Sequence, residues 1–409
     1  MDNSVAAGQA EDFFAGEAEN RQIIHYGPGS SKKVGEVAKE LGQTALLVTD
    51  QGLSAVGHVQ TVVESLKGAG LQVSLFDQSI ENPTESSVQA CAEAAQGANV
   101  DLIIGLGGGS SMDTAKGCNF ILTNGGRMAD YWGIGKAEQN MLPMIALPTT
   151  AGTGSECQSF ALISEDHSHR KMACGDKKAL PLVTILDPEL TLSQPRKVTA
   201  CTGIDALTHA LESAVTTKRN EFSDRHSLLA FALIHENLPG VFLNPDNLSA
   251  RGSVLLGASH AGAAIERSML GAAHSMANPL TTRRGIVHGI AVGLALPVVM
   301  EFNCGDPETF ARYAELSILT GLVSEGSTEK DAVDALIARV RELLKLAEFP
   351  STLQELGFAE TELQSLAEEA AEQWTAGFNP RSVSADDFAK LYSSLFSSPS
   401  CQGETQGLS

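Results

Sequence analysis

DLIIGLGGGSSMDTAK (101–116) contains the transition that decides the fold of this chain. The run Asp101–Leu106 is apolar and reads as a strand. It passes straight into Gly107, Gly108 and Gly109, and a helical pattern opens at Ser110-Ser111-Met112-Asp113. Glycines let a backbone approach a ligand with no Cβ in the way. The helix start then offers free N–H groups and a positive dipole end to a pyrophosphate. A tight strand-to-helix turn needs no ligand, however, and the run is not the GxGxxG fingerprint.

Strands and helices alternate on either side of this turn. Thr44–Thr49 reads as a strand followed by a helix over Gly52–Lys67, and Leu71–Phe76 as a strand followed by a helix over Glu85–Ala95. Met144–Leu147 and Leu182–Leu186 add further strands. Such alternation implies a mostly parallel sheet with right-handed crossovers. From Pro195 onward strand signals vanish. Segments 196–217, 221–236, 247–270, 307–321, 328–346, 360–373 and 385–396 carry helical spacing. The fold class is therefore a mostly parallel α/β domain over residues 21–190, then an all-helical domain over 191–396. Residues 1–20 and 397–409 read as loose tails.

Composition narrows the function. The 409 residues suit two domains, and 43% apolar with 19% charged residues is ordinary for a globular protein. A net charge of −21 repels phosphate backbones and anionic lipid, which argues against nucleic-acid and membrane partners. Seven scattered cysteines without a CxxC pair suit reduced thiols in a cytoplasm. No secretory signal and no apolar run of spanning length is visible.

Three further places can carry chemistry. Asp50 ends the strand TALLVTD (44–50), where a carboxylate can accept hydrogen bonds from a ribose and would repel a 2′-phosphate. That favours NAD over NADP, although an Asp there can equally cap the following helix. PTTAGTGSE (148–156) follows the strand MIAL; its hydroxyls and N–H groups suit a phosphate or carboxamide, or a plain linker. Asp205 and His209 in TGIDALTHALE (202–212) lie four apart on a predicted helix, so one face presents both. A surface Asp–His pair has the same spacing. Apolar Ile204, Leu207 and Leu211 place this helix in a core, where an unpaired Asp is costly. His274 and His288 are 14 residues apart, about 21 Å on one straight helix, too far to share a ligand. Pro279–Gly285 carries a Pro, two Thr and a Gly, and is expected to break the helix and fold the chain back. The four residues then form a credible site of three imidazoles and one carboxylate.

These stretches together resemble the iron-containing (group III) alcohol dehydrogenase family. GGGSSMDTAK (107–116), PTTAGTGSE (148–156), ILDPELTLSQPRKVTACTGIDALTHALE (185–212) and GAAHSMANPLTTRRGIVHG (271–289) carry the likeness, in the family's order, across about residues 20–395. The resemblance implies a dehydroquinate synthase-like architecture and a metal-dependent, NAD-linked alcohol dehydrogenase acting on a small alcohol or its aldehyde or ketone. Asp205, His209, His274 and His288 then take the metal-ligand places. Asp50 takes the ribose place, Gly107, Gly108, Gly109, Ser110 and Asp113 the pyrophosphate turn, and Thr149, Thr150 and Thr153 the second cofactor loop. Lys171 and Asn82 match further cofactor contacts. Fe²⁺ is the implied metal, and the donor set also suits Zn²⁺. A homodimer is implied as well.

Two departures from the family pattern stand out. Asn278 occupies the position of a histidine that lies near the substrate in many members; it can hydrogen-bond but cannot act as an acid or base near neutral pH. Val287 and Val292 replace a common Pro and Asn. A glycerol or polyol dehydrogenase remains a rival reading, as does a dehydroquinate synthase-like lyase that retains NAD. The lyase would want many basic residues for a phosphate-bearing substrate, and near the metal motif only Arg283 and Arg284 qualify. A non-catalytic NAD-binding protein is disfavoured by four intact ligand positions.

Overall fold

The computed structural model of the chain describes residues 10–12, 22–167 and 170–396. Its strands are β1 (Ala10–Asp12), β2 (Ile23–Tyr26), β3 (Thr44–Val48), β4 (Gln72–Phe76), β5 (Leu102–Gly107), β6 (Gly133–Ile134), β7 (Met144–Pro148), β8 (Phe160–Ser164), β9 (Lys171–Gly175) and β10 (Val183–Leu186). The α-helices are α1 (Val34–Ala38), α2 (Gln51–Ala55), α3 (His58–Gly68), α4 (Glu85–Ala98), α5 (Gly109–Asn124), α6 (Arg196–Ser213) and α7 (Glu221–Leu243). They continue with α8 (Leu248–Ser268), α9 (Ala272–Arg284), α10 (His288–Asn303), α11 (Pro307–Leu319), α12 (Glu329–Leu346), α13 (Leu363–Ala371) and α14 (Ala385–Ser394).

The main sheet has the order β1-β2-β10-β7-β5-β3-β4 and is parallel except for the β1–β2 pair. Its central strands β3, β5, β7 and β10 are buried on both faces, as their near-continuous apolar runs require. Along β3, Leu46 and Val48 face a core shared with Val88, Cys91 and Phe120 of α4 and α5. Ala45 and Leu47 face the opposite core, with Val34, Val62 and Leu66 of α1 and α3. Helices therefore cover both faces, and after β10 the described elements are helical. This is the α/β-then-helical architecture expected.

Some elements depart from expectation. Ala10–Asp12, within the stretch read as a tail, pair antiparallel with β2; the other residues of both expected tails lie outside the described residues. β2, β6, β8 and β9 were not legible. β9 pairs with β8 on one side and β6 on the other in a small second sheet, and the ends of β8 and β9 carry Ser, Lys and Gly rather than β-branched residues. The helix expected over 52–67 is split at Gly57 (φ 87°) into α2 and α3. Helix α7 continues to Leu243 through Pro239, because Leu238, Val241 and Phe242 still bury their side chains.

The chain packs as two compact units. Among the described residues, one holds everything up to Ala214 together with Asn220–Ser268, so it includes α6, α7 and α8. The other holds Val215–Arg219 and the chain from Met269 onward. Compactness and the composition change near residue 190 thus follow different lines. No helix among the described residues is long and apolar enough to cross a membrane. The six described cysteines are unbridged, five of them buried.

Candidate functional site

In the sheet-bearing unit, β3 leads by α2 and α3 to β4 on one side. β5 leads by α5 to β7 on the other. The strand order reverses between β3 and β5, and ligands of such sheets bind at the carboxyl ends of those strands. Asp50 and Gly107 stand there, since Val48 pairs with Gly105. Asp50 is the N-cap of α2, with Oδ1 accepting from Leu53 N at 3.0 Å. The capping role is therefore real, and one carboxylate oxygen makes it.

β5 ends at Gly107 and α5 starts at Gly109, with Gly108 as an N-cap lacking any side-chain bond. Asn82 joins this turn from the ENPT run: its backbone (φ 52°) donates to Ser110 Oγ at 3.3 Å. The second loop lies against the first. Thr149 N donates to Gly107 O at 2.9 Å. A Cβ at Gly109 would lie 2.8 Å from Thr153 Cγ2, and one at Gly108 would lie 3.2 Å from Thr150 Cγ2. These glycines are thus needed for loop packing as well as for any ligand. The far side of the loop touches α8: a Cβ on Gly154 would lie 2.5 Å from Gly262 Cα.

Asp113 points elsewhere than expected of a cofactor contact. It is buried and accepts from Ser155 Oγ at 2.8 Å, so its carboxyl ties α5 to the second loop. Helical phase places position 113 one turn after Gly109, on the face of α5 that meets the second loop. Burial raises its pKa, and Lys116, the Ser155 bond, the Leu162 N–H and Lys171 oppose the rise. Lys171 on β9 keeps exposed surface. Burial lowers its pKa, and Asp113, Asp205 and Glu81 hold the proton on. Lys116, Glu156 and Glu266 carry further buried charge. Lys116 and Glu156 stand in the quoted motifs, yet no spacing rule singled them out.

The four expected metal ligands form two pairs, one in each unit. Asp205 and His209 are one turn apart on α6, buried, with Oδ1 and Nε2 3.4 Å apart. The helix buries almost its whole circumference from Thr199 to Ser213, which keeps both groups out of bulk water. In the second unit His274 lies in the first turn of α9 and His288 opens α10. Their ring centroids are 5.3 Å apart with planes at 53°. The chain does fold back, at the end of the expected stretch: α9 runs through Pro279 to Arg284, and the reversal falls at Gly285 (φ 62°). Met276, Ala277 and Leu280 are buried around Pro279, so packing holds the helix together across its missing hydrogen bond.

Asn278 follows His274 by one turn on the same face. Its Nδ2 donates to Gln373 Oε1 at 2.9 Å, and Gln373 Nε2 donates to Glu369 O at 3.2 Å. Arg283 and Arg284 are committed to ion pairs with Glu369 (2.5 Å) and Glu362 (2.7 Å). Imidazole with carboxylate is a donor set of borderline softness, which fits Fe²⁺ or Zn²⁺ and not a calcium-type oxygen cage.

Comparison with known proteins agrees with this chemistry. The sequence model described as iron-containing alcohol dehydrogenase matches residues 21–188. The model for the C-terminal part of the Fe-containing alcohol dehydrogenase family matches residues 199–396. The chain is similar to the NAD-dependent methanol dehydrogenase of Bacillus methanolicus, 35% identical over 367 residues, covering 89% of this chain and 96% of the relative. It is similar to the 1,3-propanediol dehydrogenase of Citrobacter freundii, 34% identical over 378 residues, covering 91% and 97%. A crystal structure of a 1,3-propanediol oxidoreductase superposes with a TM-score of 0.87 at 33% identity, covering 91% of this chain and 97% of that one. On the strength of these matches along nearly its whole length, the chain belongs to the iron-containing alcohol dehydrogenase family.

Proposed function

We infer that this protein is a metal-dependent, NAD-linked alcohol dehydrogenase that interconverts a small alcohol with its aldehyde or ketone. The observation that carries the reading is the pair of half-sites, buried Asp205 with His209 and buried His274 with partly exposed His288, in a chain of this family. All four hold one divalent ion, Fe²⁺ by family and Zn²⁺ by donor chemistry. When bound, that ion supplies a Lewis acid for the substrate oxygen, and the nicotinamide accepts or delivers the hydride.

The chain's own residues bind and orient. The open N-terminus of α5 with Gly107, Gly108, Gly109 and Ser110 receives the pyrophosphate. Asp50 uses its second oxygen for the ribose and disfavours a 2′-phosphate. Asn82, Thr149, Thr150, Thr153 and Lys171 line the remaining cofactor surface, with Asp113 behind them as scaffold. Asn278 faces the substrate side as a hydrogen-bonding amide, so the substrate proton leaves through water or the ribose hydroxyls. Residues 21–190 serve the dinucleotide and 191–396 the metal. The working form is a cytoplasmic homodimer.

A diol or other polyol substrate stays within this chemistry, and the propanediol relative favours keeping it in the assay. The lyase reading loses support from Arg283 and Arg284, whose guanidinium groups already pair with Glu369 and Glu362.

The test is metal analysis of the purified protein together with NADH absorbance across alcohols, diols and aldehydes. Turnover with at least one substrate is expected. His288→Ala should lose both retained metal and more than about a hundredfold of kcat/KM. Full activity in that variant would remove His288 from the site.

A further inference from the structure

Directly behind the two candidate cofactor loops lies a buried group of charges. Lys116 sits on α5 and is fully buried, which is rare for a lysine. Its ammonium donates to Ser155 O at 2.6 Å, Ser155 Oγ at 2.8 Å and Phe160 O at 3.0 Å. An ammonium has three donors, so all are used. Ser155 Oγ donates in turn to Asp113 Oδ1 at 2.8 Å. Glu156 accepts from Ser259 Oγ of α8 at 2.6 Å, and Glu266 of α8 accepts from Ser159 N and Oγ at 2.8 and 2.6 Å. Burial pulls the Lys116 pKa down, while Asp113, Glu266 and Glu156 oppose that pull.

This arrangement fixes one loop relative to the other. Lys116 belongs to the helix whose first turn is the glycine turn, and Ser155 closes the Thr149–Ser155 loop. A Cβ at Gly109 would already press on Thr153 at 2.8 Å, so the gap between the loops is set to less than a methyl group.

We propose that Lys116 is a positioning residue for the dinucleotide: by binding both polar atoms of Ser155 from within α5, it holds the second loop against the glycine turn in the geometry that NAD requires. A cofactor that meets preformed loops does not have to order them, and affinity rises accordingly. The proposal rests on the reading of these loops as the cofactor site.

Lys116→Met keeps much of the volume and removes the charge. NADH fluorescence titration and steady-state kinetics of the metal-loaded enzyme then separate cofactor binding from everything else. The Kd for NADH and the KM for NAD are expected to rise about tenfold or more, with kcat at saturating NAD and the alcohol KM within about threefold. Leu46→Ala, a core truncation in the same unit, should leave the KM for NAD unchanged. Folded Lys116→Met with an unaltered NADH Kd overturns the proposal, and so does an equal rise in Leu46→Ala. Should Lys116→Met not fold, Ser155→Ala decides. It removes the hydroxyl link and keeps the carbonyl bond, and the KM for NAD should rise several-fold with kcat retained; an unchanged KM overturns the proposal. Gly109→Val tests the underlying reading. If it leaves NADH binding intact, these loops are not the cofactor site and the proposal falls with them. If it abolishes binding while Lys116→Met and Ser155→Ala do not weaken it, the role of Lys116 alone is refuted.

Discussion

Asp50 combines two demands on one side chain, and substitutions can separate them. Its Oδ1 caps α2 through Leu53 N, while its charge is what would repel a 2′-phosphate. Asn caps a helix about as well as Asp. Asp50→Asn should therefore hold the melting temperature while the NAD-over-NADP ratio of kcat/KM falls about tenfold or more. Asp50→Ala should add a stability loss of about 1 kcal/mol from the missing cap. An unchanged cofactor ratio in Asp50→Asn would leave Asp50 a cap and nothing else. Both roles were open in the sequence, because a strand-end Asp before a helix serves either. Asp113 shows the opposite case: it stands in the glycine motif, yet its partner is Ser155, a residue 42 positions away.

At the level of elements, helix α8 contributes more than apolar packing. It brings Glu266 and Ser259 against the turn that follows the second loop. Burial raises the Glu266 pKa, opposed by the Ser159 bonds, Lys116 and Arg267. A carboxyl raised in the folded state binds more protons there than in the unfolded chain, so its contribution to stability falls as pH rises. The fall begins at the unfolded carboxyl pKa of about 4.3 and ends above the raised folded value. Glu266→Gln removes that titration and keeps an acceptor for Ser159. Its melting temperature relative to the parent should therefore climb from about pH 4 upward and then level off. Calorimetry over a pH series checks this, and a flat difference would mean that Glu266 titrates as it does unfolded. None of this was legible beforehand, because helical periodicity marks Glu266 only as one position on α8. The reversal between α9 and α10 was partly legible. Spacing demanded a break between His274 and His288 within Pro279–Gly285, but not which residue of that stretch makes it; Gly285, with its positive φ, does.

For the whole molecule, dinucleotide binding and folding are linked, because only the folded chain presents Asp50, the glycine turn and the Thr149–Thr153 loop together. NAD at a hundred times its Kd should stabilise the fold by about 2.7 kcal/mol, and NADP at equal concentration by less. Thermal unfolding with each cofactor measures the difference; equal shifts would remove the stated NAD preference. The sequence by itself determined the architecture and supplied the proposed site residues. Alternating apolar runs in the first half and helical spacing in the second are local patterns, and Asp205–His209 is a within-helix spacing that needs no tertiary information. Tertiary structure alone decided which polar residues face inward. Asp113 and Lys116 of α5, Glu156 of the second loop and Glu266 of α8 come from three segments, and only the packing of those segments made their burial tolerable by supplying hydrogen-bond partners. A buried charge is acceptable only where distant segments supply its partners, and sequence spacing carries no record of that.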